Sequence, residues 1–299
     1  MTEHQYTTPA EALVAYSTWL ERQPLSANSR RTYRARLRGY CNYLAGSQSE
    51  YGDPLRDRHA RDYAVRDYKT HLKTVRRAKP TSVNLSLAAI DSFYGFLGLG
   101  RPDVRREDLP GQAPRALSPD EQKRFLRAVE RSPEARDRAL ATLLFYTALR
   151  LGECVGLDIG DVAVSARKGK LVVRSGKGDT YREVSLNADA REALAAWLDE
   201  RKGRFPDTNE PALLLSRKGV RLSARAVDLI IRGLGEDANI ELSAHVLRHT
   251  CLTNLVRGGN DLVLVAEIAG HRRLETTRRY SLPSAADREA AMEALRVEY

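Results

Sequence analysis

Long apolar runs are missing from this sequence. The longest, such as Ala139–Leu149, fall well short of the roughly 20 residues that span a bilayer, so no membrane partner is expected. No basic stretch leads into an apolar core at the start either. The opening "MTEHQYTTPAEAL" carries Glu3 and Glu11, no export signal is visible, and the cytoplasm is the expected location. Cysteine is scarce: Cys41, Cys154 and Cys251 are odd in number and widely spaced, which argues against a disulfide framework and against a zinc ribbon. His245 and His249 have the i, i+4 spacing of a two-histidine zinc face, but Val246 stands where a zincin needs glutamate, so no metal is expected. "SGKGDT" holds a lysine between glycines without the spacing of a phosphate-binding loop. Internal repeats and low-complexity segments are absent as well.

What is present reads as a folded protein. A chain of 299 residues that is 42% hydrophobic and 29% charged has a globular composition and is long enough for two hydrophobic cores. Net charge is +10, and its distribution is uneven. Residues 1–107 carry 18 Lys and Arg against 11 Asp and Glu, whereas the remainder carries 31 against 28. This asymmetry points to a polyanionic partner, with nucleic acid favoured over a membrane surface because no lipid-facing amphipathic segment accompanies it.

The first third predicts about four helices. In "SANSRRTYRARLRGYCNYLAG" the residues Tyr33, Leu37, Tyr40, Cys41 and Leu44 recur at helical spacing, while Arg30, Arg31, Arg34 and Arg38 fall mostly elsewhere on the wheel. One face can be core and another can meet phosphates; a solvated face would look the same in isolation. Lys79, ahead of a helix expected to begin near Thr81 after Pro80, joins these arginines as a DNA-contact candidate. The breaker-rich stretch with Pro102, Pro110, Gly111 and Pro114 reads as a linker, which gives domains at 1–107 and 118–299 joined by 108–117. Ser118, Pro119 and Glu121 then form a capping box that starts a helix. The second domain predicts helices at about 119–131 and 134–149. A hairpin from Lys170–Arg174 and Tyr181–Leu186 follows, with Lys177 at its tip, and then further helices.

Three of the six histidines lie between Ser243 and Tyr280. On a helix His245 and Arg248 share a face, so an imidazole and a guanidinium can converge on one anion. His249, one residue further, reads as a histidine packed in a helix interface. Arg150 follows an apolar helix in "TALRLGE", with Glu153 one turn on, and His271 follows Gly270 nine residues before Tyr280. Each of these residues alone has an ordinary structural explanation.

The ordered set Arg, Lys, His-x-x-Arg, Gly-His, Tyr, in the contexts "ALRLGE", "GKG", "HVLRHT" and "AGH", resembles the tyrosine recombinase family, the phage integrase and Xer type of site-specific DNA recombinase. The resemblance covers nearly the whole chain. It implies a mainly α fold with a small antiparallel β-sheet, in which a helical SAM-like core-binding domain precedes a catalytic domain. It further implies that Arg150, Lys177, His245, Arg248, His271 and Tyr280 are catalytic, with Glu153 supporting them. Arginine forks suit the non-bridging oxygens of a phosphorane-like transition state, and Tyr280, with a reference pKa near 10, must lose a proton as it attacks. His245 is the expected base, His271 orients phosphate or tyrosine, and Lys177 protonates the leaving 5′ oxygen. The implied intermediate is a 3′-phosphotyrosyl linkage whose retained energy removes any need for ATP, and no cofactor is implied. The implied partners are double-stranded DNA with inverted-repeat core sites and further copies of the chain, as a homo-tetramer on two duplexes, with pairing to a related recombinase left open. The alternatives are a type IB topoisomerase and a non-cleaving architectural DNA-binding protein. Arg272 and Arg273, where relatives often carry small hydroxyl residues, are expected to add phosphate contacts. Met292, Leu295 and Val297 can form an apolar strip that docks on a neighbouring protomer or on its own domain.

Overall fold

Local signals start the helices of the first hundred residues. Thr8 accepts from the amide of Glu11 at the head of α1 (Pro9–Glu21), and Asp57 accepts from that of Ala60 at the head of α3 (Arg58–Thr74). Between them runs α2 (Ala27–Gly46), and α4 (Pro80–Phe96) opens on proline at a position where a missing amide proton costs nothing. Residues 6–46, 52–109, 113–175, 180–271, 273–282, 289 and 292–293 are described in the computed structural model. The chain divides into two units, Met1–Pro110 and Gly111–Tyr299.

The first unit is held by aromatic packing. Tyr16, Leu20, Leu37, Tyr40, Ile90, Phe93 and Tyr94 are fully buried in one cluster. Two buried phenols, Tyr40 and Tyr94, satisfy each other through hydroxyls 2.7 Å apart. Beyond α4 the chain remains attached: the Asn84 side chain donates to the carbonyl of Glu107 and accepts from its amide, both at 2.8 Å. Lys69 and Lys73 pair with the Glu107 carboxylate, which lowers its pKa.

The second unit is mainly helical with one small sheet. The capping box of Ser118 and Glu121 is present at α5 (Pro119–Arg131), followed by α6 (Ala135–Tyr146) and the short α7 (Leu151–Gly156). The expected hairpin forms between β2 (Gly169–Ser175) and β3 (Thr180–Ser185), and β1 (Val162–Val164) extends it to an antiparallel sheet in the order β1-β2-β3. That third strand has three residues, too few for the alternation by which strands are read. Five further helices follow: α8 (Ala188–Arg204), α9 (Ala224–Asp237), α10 (Ala244–Arg257), α11 (Leu262–Ala269) and α12 (Leu274–Arg278). Trp197 on α8 is buried and donates its indole N–H to the carbonyl of Leu213 at 2.8 Å. Among the described residues no helix is long and apolar enough to cross a membrane.

Candidate active site

The helix expected to run to Leu149 ends at Tyr146, because Ala148 adopts a left-handed backbone with φ 51°. That conformation costs a residue with a Cβ about 1–2 kcal/mol, and here it turns the chain so that Arg150 heads α7. The Glu153 carboxylate accepts from the Arg150 backbone amide at 2.8 Å and from its guanidinium at 2.7 Å. From β3, Arg182 adds a two-pronged bond to the same carboxylate at 3.0 and 2.8 Å, and its Nε donates to the carbonyl of Ile268. Burial raises the pKa of Glu153, but the bonds from Arg182 and Arg150 outweigh it and hold the value down at about 2. Arg150 also donates to the carbonyl of Gly270 at 3.0 Å. Gly270 ends α11 with φ 62°, and a Cβ there would stand 3.0 Å from the Arg182 guanidinium. Glycine therefore serves both the left-handed cap and the close approach.

Ser243 caps α10 and sets the phase of its first turns. Arg248, 3% exposed, donates to the carbonyl of Ala148 and, at 2.7 Å, to that of Ala269. These bonds tie α10 to the chain on either side of it. Burial, and then the nearby Arg150 cation, bring the Arg248 pKa down to about 10, which leaves it charged at neutral pH.

The third Arg248 contact fixes the state of His271. A guanidinium has no acceptor, so His271 Nε2, 3.1 Å from Arg248 Nη2, accepts. The ring proton then sits on Nδ1, which donates to the Thr277 hydroxyl 2.8 Å away. Burial, then Arg248 and Arg150, hold the His271 pKa at about 4, consistent with a neutral ring. Tyr280, in the turn after α12, is 6% exposed and packs with Ala148, Cys251, Leu252, Val265 and Ala269. Its hydroxyl lies 2.7 Å from His249 Nδ1. Burial raises the tyrosine pKa, while Arg248, Arg279 and Arg150 pull it the other way.

Arg150, His245, Arg248, His271 and Tyr280 line one cavity of about 500 Å3, together with His249 and Arg279. Glu153 stands behind Arg150. Lys177 lies outside the described residues, between β2 and β3; so does Arg272, along with Leu295 and Val297 of the expected apolar strip, whose Met292 is exposed. Arg273 is exposed just ahead of α12. In the first unit Arg30 and Arg34 pair with Glu21, and Arg31 donates to Asn28, whereas Arg38 and Lys79 are exposed.

Two residues differ from the sequence reading. His249, expected to be packing, is the residue bonded to the Tyr280 hydroxyl, and His245, expected as the base, is exposed one turn earlier with its ring 4.0 Å from that of His249. The reason is helical: i and i+4 share a face, but the later residue points inward where α10 meets the Tyr280 turn. Arg182 lies outside the set expected from the sequence. Its signal was available, since Arg182, Val184 and Leu186 alternate onto the inward side of the hairpin, and a lone charge in such a row needs a buried partner.

Comparison with known proteins extends these observations. The profile of the phage integrase family matches residues 115–286, and that of the phage integrase N-terminal SAM-like domain matches residues 14–99. The chain is 31% identical over 273 residues to a tyrosine recombinase XerC of Roseiflexus castenholzii, covering 86% of this chain and 83% of that protein. A TnP I resolvase of Bacillus thuringiensis is 27% identical over 289 residues, covering 94% and 98%. The crystal structure of XerA recombinase is similar over 97% of this chain and 99% of that one, with 29% identity and a TM-score of 0.55. A XerH recombinase bound to palindromic difH substrate, a post-cleavage complex, shares the fold at a TM-score of 0.72, with 22% identity, covering 93% and 83%.

Proposed function

The chain belongs to the phage integrase family of tyrosine recombinases, and from that premise we propose that it cuts and rejoins DNA at specific sites through a covalent bond between Tyr280 and a DNA 3′ phosphate. The observation that carries this reading is the cavity in which the Arg150 and Arg248 guanidiniums, His245, His271 and the Tyr280 hydroxyl meet.

In this reading a phosphodiester enters the cavity and its non-bridging oxygens take the guanidinium N–H groups of Arg150 and Arg248. Both arginines are held in advance by bonds to carbonyls and to Glu153, so little reorganisation is needed as negative charge grows on phosphorus. One such fixed donor typically contributes about 3–4 kcal/mol to the barrier. Tyr280 Oη attacks phosphorus in line with the departing 5′ oxygen, which Lys177 protonates. His245 addresses the phosphate, His271 orients Arg248 toward it through Nε2, and Glu153 with Arg182 keeps Arg150 in register. The bond energy stays in the phosphotyrosine, so a second DNA 5′ hydroxyl can reverse the attack with no nucleotide hydrolysed.

The catalytic unit spans residues 118–299, and the helical unit before it grips the duplex with Arg30, Arg31, Arg34, Arg38 and Lys79. Glu21, which neutralises Arg30 and Arg34 in the DNA-free protein, is exchanged for phosphates on binding. Arg272 and Arg273 add phosphate contacts beside the nucleophile. The substrate is double-stranded DNA with inverted repeats, and four copies of the chain act on two cytoplasmic duplexes.

The test uses a library of nicked duplexes carrying inverted repeats of randomised sequence. Protein trapped on DNA is isolated under denaturing conditions and the attached duplex is sequenced. The recovered duplex is then offered together with a second copy. A covalent complex and recombinant strands are expected, with binding that falls steeply as salt rises. Relaxation of a supercoiled plasmid carrying the recovered sequence, without recombinant product, would support a topoisomerase instead, and absence of any covalent complex would support a non-cleaving DNA-binding protein.

A further inference from the structure

As Tyr280 Oη bonds to phosphorus, its proton must go somewhere, and most of its neighbours cannot take it. Arg150 and Arg248 are donors only. Both nitrogens of His271 are committed, Nε2 to Arg248 and Nδ1 to Thr277. A phenol at 6% exposure does not release its proton freely to bulk water. The acceptor in contact is His249 Nδ1, at 2.7 Å. Among the described residues no other hydrogen-bond partner of the Tyr280 hydroxyl is found, so a satisfied hydroxyl requires a bare Nδ1 and a proton on Nε2.

Resting on Tyr280 as the nucleophile, we propose that His249 is a further catalytic residue, whose Nδ1 orients the Tyr280 hydroxyl and receives its proton as the Oη–P bond forms. In the forward step the Oη–P bond forms, the P–O5′ bond breaks, the phenolic proton moves to Nδ1, and the 5′ oxygen is protonated by the general acid. In the rejoining step an incoming 5′ hydroxyl attacks phosphorus and passes its proton to the deprotonated general acid, the Oη–P bond breaks, and the His249 imidazolium returns its proton to the departing Oη. One residue thus serves as base for cleavage and acid for religation, as reversibility requires.

The surroundings suit that role. The groups facing His249 are His245 and Arg248 from its own helix, His271 from the turn after α11, and Arg279 and Tyr280 from the turn after α12. Burial first, then these neighbours, hold its pKa at about 3, which keeps the lone pair available at neutral pH. A bound phosphodiester brings negative charge among those cations and so supports the imidazolium that the step creates. The His245 ring, 4.0 Å away and nearly edge-on at 67°, braces the plane of His249.

The test measures the rate of covalent complex formation from pH 6 to 9, on the duplex that the wild-type protein selects from the nicked library. The wild-type rate is expected to stay level. His249→Phe, which keeps the ring and removes the nitrogen, is expected to slow the step by about 10²–10⁴-fold. Its rate should then climb about tenfold per pH unit, because hydroxide must now take the tyrosine proton. A bridging sulfur at the 5′ position, which leaves without a proton, should rescue Lys177→Ala but not His249→Phe. A wild-type rate with a level profile in His249→Phe overturns the proposal while leaving Tyr280 as nucleophile. A wild-type protein that forms no covalent complex overturns both. Nitrogen NMR on the wild-type protein gives a readout independent of the variant's folding. Nδ1 of His249 should be unprotonated and its resonance should move in Tyr280→Phe; a protonated Nδ1 contradicts the proposal.

Discussion

Two buried hydroxyl bonds of the same length lie in the two units and do different things. In the first, Tyr40 and Tyr94 meet at 2.7 Å inside an aromatic core, and burial pushes both phenols well above their ordinary pKa. In the second, Tyr280 meets His249 at 2.7 Å beside a cavity lined by Arg150, Arg248 and Arg279. The first bond joins two weak acids and has no acceptor for a released proton. The second joins an acid to an imidazole, with cations placed to stabilise the charge left behind. Distance and burial alone do not separate Tyr94 from Tyr280, the proposed nucleophile; the partner and the surrounding charge do.

The largest effect that would sharpen this contrast comes from Arg248→Ala. Covalent complex formation is expected to fall by at least about 10²–10³-fold. The carbonyls of Ala148 and Ala269 lose their donor, which costs about 1–3 kcal/mol of stability, measurable by denaturant unfolding. Arg248→Lys should recover less than Arg150→Lys, because a single ammonium cannot span the two carbonyls and His271.

Next in size is Glu153→Gln. Removing the charge that joins Arg150 and Arg182 is expected to destabilise the second unit by about 2–4 kcal/mol and to slow cleavage, since Arg150 loses its anchor. Because the folded Glu153 pKa is depressed to about 2, its stabilising effect is full above the ordinary carboxylate value of 4.5 and disappears as pH falls toward 2. His249 and His271 act earlier on the pH scale. Their folded pKa values, about 3 and about 4, lie below the ordinary 6.5, so the unfolded chain takes up protons that the folded chain refuses. Stability should therefore fall as pH drops from about 6.5 to about 4 through His271 and on to about 3 through His249, and His249→Phe should flatten that decline in a melting series. The smallest effect belongs to the first unit: Tyr94→Phe strands the Tyr40 hydroxyl and should cost about 1–2 kcal/mol. Covalent complex formation at saturating DNA should not change.

Much of the site was legible because its residues carry meaning by order and spacing. Arg150, Arg248, His271 and Tyr280 stand out in "ALRLGE", "HVLRHT" and "AGH" before a tyrosine, and all four line the cavity. The helices and the β2–β3 hairpin followed from capping signals and periodicity. What escaped depends on depth and on long-range partners. The left-handed Ala148 that ends α6 has no local signature, since alanine is an ordinary helix former. His249 differs from His245 only in how far α10 sinks against the Tyr280 turn. Arg182 gains its role from Glu153 and Ile268, neither of them near it in sequence.

The most direct measurement identifies the atom that carries the DNA. Protein trapped on the nicked duplex is digested and the peptide–nucleotide adduct sequenced by mass spectrometry. The adduct should sit on Tyr280, joined to a 3′ phosphate, with a free 5′ hydroxyl on the other DNA end and no adduct in Tyr280→Phe. An adduct on another residue, a 5′-linked phosphate, or a covalent complex that persists in Tyr280→Phe would contradict the assignment of Tyr280 as the nucleophile.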